Sequence, residues 1–108
     1  MTRKALFIVR AEVPDPADRQ PFDKWYRTQH FPQMVANVGS ERAWRSWSTV
    51  NPAVHYAFYQ FKDAPTAETA SKSDFIKNMI GIFDDAWGSR VTRTRDVAET
   101  VQEAEISN

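Results

Sequence analysis

The chain has 108 residues, enough for one small domain with a single core and too few for two domains. Fourteen Lys and Arg balance fourteen Asp and Glu, which argues against a nucleic-acid or anionic-lipid surface and favours small molecules or other protein chains as partners. Cysteine is absent, so disulfides, thiolate metal sites and cysteine nucleophiles are excluded. The apolar run at residues 5–9 is too short for a signal peptide or a membrane span, and we expect a soluble cytoplasmic protein.

The first half of the chain predicts a strand followed by an interrupted helix. Residues 4–12 are apolar and partly β-branched, as in a strand. Pro21 is typical of a first helical turn, and residues at spacings of three and four continue the helical pattern to His30. Pro32 has no amide hydrogen and clashes with the preceding turn, which predicts a break or kink just after His30. A short helical piece over 32–37 then leads to a cap at Gly39.

The second half predicts two strands, a helix and a final strand. Residues 41–50 and 55–62 carry strand-favouring aromatics on either side of a turn. A helical region opens at Asp63, and an apolar stripe ending at Trp87 predicts a core-facing helix that stops at Gly88. A strand at about 90–97 completes the order β-α-β-β-α-β. We therefore predict one α+β domain over 1–108, with 98–108 as a polar tail. Its fold is ferredoxin-like, a four-stranded antiparallel sheet with two helices on one face.

The other face of such a sheet has no helix over it. The predicted strands carry more Trp, Phe and Arg than one small core readily buries. Because a large exposed aromatic face is unfavourable in water, we expect two copies of the chain to pack their open sheet faces together as a homodimer.

The stretch Phe22-Asp-Lys-Trp-Tyr, with His30, Pro32 and Gly39 after it, and the strand His55-Tyr-Ala-Phe-Tyr-Gln-Phe resemble the dimeric α+β barrel superfamily. Within it, the chain is most similar to EthD-like and related small proteins. The resemblance reaches to about residue 97, and its specific part is 22–39. It implies a dimer that closes into an α+β barrel. The superfamily includes muconolactone-type isomerases, cofactor-free monooxygenases, haem-degrading enzymes and lyases, so the resemblance selects no single reaction.

His30 and Tyr26 are the candidate catalytic residues. In a helix His30 lies one turn above Tyr26, on a face that also receives Gln29, where many relatives carry an acidic residue. An imidazole transfers protons near neutral pH, and a tyrosine hydroxyl can hold a substrate oxygen. The alternative is a structural role in which His30 bonds a free carbonyl at the helix end. Because Pro32 ends the helix, we expect the imidazole to project into the barrel mouth and not into the core. His55 follows a turn and is expected at the surface.

Arginine and tryptophan alternate along the second strand, so that Arg42 and Trp44 share one face while Arg45 and Trp47 share the other. Either pair can grip a planar anion or stack in a dimer interface. In the last strand Arg93 and Arg95 share a face, where two like charges favour a carboxylate ligand or an acidic partner between them. The predicted substrate-binding residues are Trp25, Gln29, Arg42, Trp44, Arg45, Trp47, Tyr59 and Arg93.

These residues predict a cofactor-independent enzyme that acts by acid–base catalysis as an isomerase, ester or lactone hydrolase, or lyase. Its expected substrate is a small, planar, carboxylated or enolic metabolite, for example from aromatic-compound catabolism. No metal is expected, since two histidines in separate elements give no ligand spacing. The alternatives are a non-catalytic homodimer that binds a small ligand or a partner, and a cofactor-free or haem-dependent monooxygenase. Convergence of His30 and an arginine on one enclosed cavity favours an enzyme, whereas a His30 that bonds only backbone argues against it.

Overall fold

The computed structural model describes residues 3–106. Four strands, β1 (Ala5–Glu12), β2 (Arg42–Trp47), β3 (Val54–Phe61) and β4 (Thr92–Glu99), form one sheet in the spatial order β2-β3-β1-β4. Each pair of neighbouring strands is antiparallel. The predicted α+β class and ferredoxin-like order are therefore confirmed. Strand β4 extends two residues beyond its predicted end, so the polar tail begins at Thr100.

Four helices connect the strands: α1 (Pro16–Trp25), α2 (Phe31–Asn37), α3 (Ala64–Ser71) and α4 (Asp74–Trp87). Helix α1 begins five residues earlier than predicted, because the Asp15 carboxylate accepts a hydrogen bond from the Ala17 amide and Pro16 occupies the first turn. Helix α4 begins where the Ser73 hydroxyl caps the Ile76 amide and ends at Gly88, whose φ of 53° suits glycine. None of the helices in residues 3–106 has the length and apolar character needed to cross a membrane.

The chain does not break at Pro32. Residues Tyr26–His30 form one π-helical turn that joins α1 to α2, and the Phe31 amide donates to the Tyr26 carbonyl five residues back. Since Pro32 cannot donate the next hydrogen bond of the ladder, a wider turn at this point keeps the backbone helical without that donor. The continuation of the helix keeps His30 against the sheet, and π-helical turns of this kind are frequent at functional sites.

The core lies between the helices and one face of the sheet. Along β1, Ala5, Phe7, Val9 and Ala11 are buried on this face, and the intervening side chains are only half-buried on the other. Strand register sets what lies beside them: Arg95 of β4 is opposite Val9, and Arg93 is opposite Ala11. Both β4 arginines therefore lie on the face that the helices cover.

Candidate functional site

A narrow cavity lies between helix α4, helix α2 and the sheet, and we call it the slot. Its free volume is about 20 Å³, room for about one water molecule. Apolar side chains make up most of its wall, and its polar residues are one histidine and two arginines. The lining residues are Phe7, Val9, His30, Met34, Ile76, Met79, Ile80, Phe83, Arg93 and Arg95.

His30 is buried in the wall of the slot, with 6% of its surface exposed. Its ring stacks on Trp25 at a centroid distance of 5.0 Å and packs against Tyr26 at 4.9 Å. The expectation that His30 projects into the barrel mouth is wrong, because the helix continues through the π-helical turn and holds the ring against the core. His30 forms no capping hydrogen bond, and no group in residues 3–106 bonds its buried Nδ1 atom. The alternative role as a helix-end cap is therefore not observed.

The surroundings of His30 favour its neutral form. Burial, and then the positive charges of Arg93 and Arg95, lower the pKa of His30 to about 4. The imidazole is consequently unprotonated at neutral pH. A negative charge placed between His30 and the two arginines would oppose the repulsion between their positive charges and a protonated imidazole. An anionic ligand in the slot would therefore raise the pKa of His30.

The two arginines of the slot differ in how they are held. Arg93 donates to the Asp84 carboxylate at 2.6 Å, and its guanidinium lies 3.6 Å from the centre of the Phe83 ring. Arg95 forms no salt bridge with any group in residues 3–106. Burial, ahead of any charge effect, lowers the pKa of both arginines, which indicates incomplete hydration of two neighbouring cations. Such a pair favours an anionic ligand.

Tyr26 and Tyr59 lie behind the slot and do not line it. Both are fully buried. Burial raises the pKa of Tyr26 to about 12, and burial also raises the pKa of Tyr59. The Tyr59 hydroxyl has no hydrogen-bond partner within residues 3–106. Tyr26 therefore contacts the His30 ring but does not line the slot.

A second polar cluster surrounds His55, which is buried and not at the surface as predicted. Residue 55 faces the helices with Ala57 and Tyr59, and helix α1 covers this end of the strand, so that Phe22 packs edge-on to the His55 ring at 5.5 Å. The Arg45 guanidinium lies 3.1 Å from His55 Nε2 and 2.8 Å from the Asp23 carboxylate. We call Asp23, Arg45, Trp47 and His55 the arginine cluster.

The polar side chains of the arginine cluster are hydrogen-bonded to one another. The Trp47 indole donates to the same Asp23 oxygen at 2.8 Å. Burial raises the pKa of Asp23, but hydrogen bonds from Trp47 and Arg45 outweigh it and the net pKa is lowered. Burial, followed by the charge of Arg45, lowers the pKa of His55 to about 4. Since Arg45 can only donate, His55 Nε2 must accept, and the histidine is neutral.

The remaining predicted site residues are spread over three regions. Trp25 contacts His30 directly, whereas Gln29 is exposed. Arg42 and Trp44 lie on the open face, where the Arg42 guanidinium stands 5.2 Å from the Trp44 ring. Of the ten predicted residues, His30 and Arg93 line the slot. Arg45 and Trp47 lie on the helix-covered face of β2 and belong to the arginine cluster, and no residue of β2 lines the slot.

Sequence reasoning missed several residues of the slot. Arg95 was paired with Arg93 by strand alternation but was not selected as a site residue. Asp84 gave no signal, because its contact with Arg93 joins α4 to β4 and depends on the tertiary fold. The stripe of Phe75, Met79, Phe83 and Trp87 was assigned to the core; Met79 and Phe83 belong to the core and also line the slot.

Neither a metal ion nor haem fits the residues present. Within residues 3–106 no three His, Asp or Glu side chains cluster in a way that could hold a metal. Haem would need an axial ligand and a wide cleft, whereas the slot has about 20 Å³ of free volume and the face of His30 is stacked on Trp25.

Comparisons with known proteins agree with this architecture. An EthD family protein from Bacillus halodurans is 18% identical, with a TM-score of 0.69 over 91% of this chain and 99% of that one. A Nitrosomonas europaea protein provisionally described as an antibiotic biosynthesis monooxygenase is 14% identical, with a TM-score of 0.64 over 94% and 93% of the two chains. HapK from Hahella chejuensis is 11% identical, with a TM-score of 0.65 over 96% and 99%. No family model and no curated protein matched the sequence.

The fold is therefore ferredoxin-like, as predicted, and it is similar to the folds of an EthD family protein and of a protein provisionally described as an antibiotic biosynthesis monooxygenase. At this level of identity the likeness establishes the fold alone, and the chemistry must be argued from the slot.

Proposed function

We propose that the protein is a cofactor-independent enzyme that transfers protons within a small carboxylated or enolic substrate. The substrate inserts its reacting end into the slot, and the rest of the molecule lies outside it, because the slot has room for about one water molecule. One observation carries the proposal: an unprotonated histidine with an unbonded Nδ1 and two arginines line the same narrow, mainly apolar cavity. Such convergence of a base, cations and apolar walls is the general form of a small-molecule site.

His30 is the proposed general base. Its unprotonated ring nitrogen takes a proton from the carbon next to a substrate carbonyl, which leaves an enolate and an imidazolium. Arg93 and Arg95 stabilise the negative charge on the substrate oxygens, and the same charge stabilises the imidazolium. A base with a pKa of about 4 is weak in the empty slot, so proton removal depends on the bound anion.

Trp25 and Tyr26 are proposed to position the histidine. Their rings pack against the imidazole from two sides, at 5.0 and 4.9 Å. This positioning role of Tyr26 replaces the predicted role, in which its hydroxyl bonds the reacting oxygen of the substrate. Return of the proton to another carbon gives isomerisation, and cleavage of a bond next to the enolate gives a lyase reaction. Activation of water by the same base gives ester or lactone hydrolysis.

A cofactor-free monooxygenase is the second candidate, and the fold comparisons favour including it, since three of the similar proteins are provisionally described as monooxygenases. The first step would be the same, because an enolate formed in an apolar cavity is the species that could react with oxygen. Oxygen uptake that depends on substrate and on His30 would support this candidate.

A homodimer through the open sheet face is part of the proposal. The face carries Leu6, Ile8, Trp44, Tyr56 and Phe58. Phe58 stacks on Trp44 at 5.4 Å and on Tyr56 at 5.8 Å, so the three rings form a continuous aromatic surface that no helix of residues 3–106 covers. A second copy with the same surface would cover it.

Light scattering tests the dimer. Phe58→Asp should convert a dimer at micromolar concentration into a monomer, because it places a charge at the centre of an apolar interface. Val50→Asp is the control, since Val50 is 92% exposed in the β2–β3 connection. A wild-type monomer would refute the dimer.

Proton exchange tests the enzyme. The protein is incubated in D₂O with a panel of β-keto carboxylates and unsaturated lactones, and NMR follows loss of the hydrogen next to the carbonyl. We expect catalysed exchange for at least one compound, and a loss of about a hundredfold or more in His30→Gln. Exchange that is unaffected by His30→Gln would sink the proposal, and so would absence of exchange across the panel. The latter result would favour the non-catalytic ligand-binding alternative.

A further inference from the structure

A second cavity adjoins the slot, and we call it the outer cavity. Phe7, Ser71, Arg95, Asp96 and Val97 line it, and its volume is about 230 Å³. It shares Phe7 and Arg95 with the slot. Because Arg95 and Asp96 are exposed residues of β4, an edge strand of the sheet, the outer cavity reaches the protein surface.

Arg95 stands between the two cavities. Its neighbour Arg93 is fixed by the Asp84 carboxylate and the Phe83 ring. Arg95 has no salt bridge within residues 3–106, so its long side chain can turn from one cavity to the other without breaking an ion pair. Within the described part of the chain, the slot therefore has one arginine held by a salt bridge, Arg93, and one without a salt bridge, Arg95.

The remaining polar groups of the outer cavity restrict the charge of a ligand. The Ser71 hydroxyl donates to the Glu68 carbonyl, so it offers no hydrogen to an anion. Arg95 is the cation that lines the outer cavity, and Asp96 is its anion. One carboxylate can pair with Arg95, whereas a second negative charge on the ligand would meet Asp96.

We propose that the outer cavity is the recognition site for a planar monocarboxylate, and that Arg95 receives the carboxylate there and turns it into the slot beside His30. The apolar body stays in the outer cavity, because that cavity has a volume of about 230 Å³ and the slot has only about 20 Å³. This inference rests on the proposed function for the chemistry in the slot, but it concerns a second cavity and an earlier step, the capture of the ligand by Arg95. It assigns the substrate a single negative charge and an apolar body, and it assigns Arg95 a role in binding that Arg93 does not share.

Benzoate is a suitable probe, since it is planar and monoanionic, and benzamide and phthalate are its neutral and dianionic counterparts. Titrations of the ¹⁵N-labelled protein followed by NMR should show saturable shifts at the Ser71 and Val97 amides with benzoate. The dissociation constants of benzamide and phthalate should be higher. Arg95→Gln should weaken benzoate binding about tenfold, the usual effect of losing one charge-assisted hydrogen-bonding partner, and leave benzamide binding unchanged.

Two further variants control for charge and folding. Arg27→Gln removes an exposed arginine that lines neither cavity, and it should leave benzoate binding unchanged. Asp96→Asn should lower the dissociation constant of benzoate about twofold, because it removes the repulsion, screened by salt, between Asp96 and the bound anion. The difference in affinity between benzoate and the dianion phthalate should also become smaller. The proposal is overturned if benzoate does not shift Ser71 and Val97, or if Arg95→Gln and Asp96→Asn leave its affinity unchanged. If these binding effects are absent but the protein still catalyses proton exchange, the recognition site is disproved and the proposed function stands.

Discussion

His30 and His55 occupy similar surroundings and have opposite bonding. Both rings are buried, both contact Tyr26, at 4.9 and 4.6 Å, and both have a pKa of about 4. His55 Nε2 accepts from Arg45, which is itself neutralised by Asp23. His30 Nδ1 has no partner within residues 3–106, and the His30 side chain lies in the wall of a cavity.

The contrast shows that burial and a lowered pKa do not by themselves mark a catalytic histidine. The difference lies in whether the ring nitrogen is already bonded and whether space for a ligand adjoins it. By these criteria His55 holds α1 to the sheet through the arginine cluster, and His30 is available for chemistry. His55 is therefore the matched control for each experiment on His30.

The largest expected effect is on turnover. With the substrate found by proton exchange, His30→Gln should lower kcat by about a hundredfold or more, the usual contribution of a general base. His55→Gln should change kcat by only a few-fold when assayed below its lowered melting temperature. Single-substrate kinetics on the two variants measure this difference. Equal losses in both would erase the distinction between the histidines.

The arginine cluster should show its role in stability. Arg45→Gln removes the partner of a half-buried carboxylate and of His55 Nε2, and should lower the free energy of unfolding by about 2–3 kcal/mol. Urea denaturation measures the change. Arg27→Gln, an exposed control, should stay within about 0.5 kcal/mol. If Arg45→Gln also changed the free energy of unfolding by less than about 0.5 kcal/mol, the arginine cluster would not hold α1 to the sheet.

Acid should destabilise the protein through both histidines. Each is neutral when folded, with a pKa of about 4, and has an ordinary pKa of 6.5 when unfolded. The unfolded state therefore binds more protons between these values, and stability falls as the pH falls from about 6.5 to about 4. Each histidine contributes a loss of at most about 3 kcal/mol.

Urea denaturation across this pH range measures the proton uptake on unfolding. The wild type should take up close to two protons near pH 5, and either histidine-to-glutamine variant close to one. A variant whose pH dependence matches that of the wild type would show that its histidine is already protonated, or is solvated, in the folded state.

The sequence predicted the fold well because its signals are local. Alternation along β4 placed Arg93 and Arg95 together, and helical spacing placed His30 above Tyr26. It failed where a contact joins distant elements. Nothing in residues 54–61 reveals that α1 covers His55, and nothing near Asp23 reveals its bond to Arg45. The proline rule also misled, since a π-helical turn retained the helix that Pro32 was expected to end.

The most direct test is an NMR pH titration of the ¹⁵N-labelled histidine side chains with and without saturating benzoate. An anion beside His30 should raise its pKa from about 4 toward its ordinary value, while the bonded His55 stays near 4. This result would identify His30 as the histidine that responds to a bound carboxylate. A His30 pKa that does not move, or equal shifts in both histidines, would contradict the account.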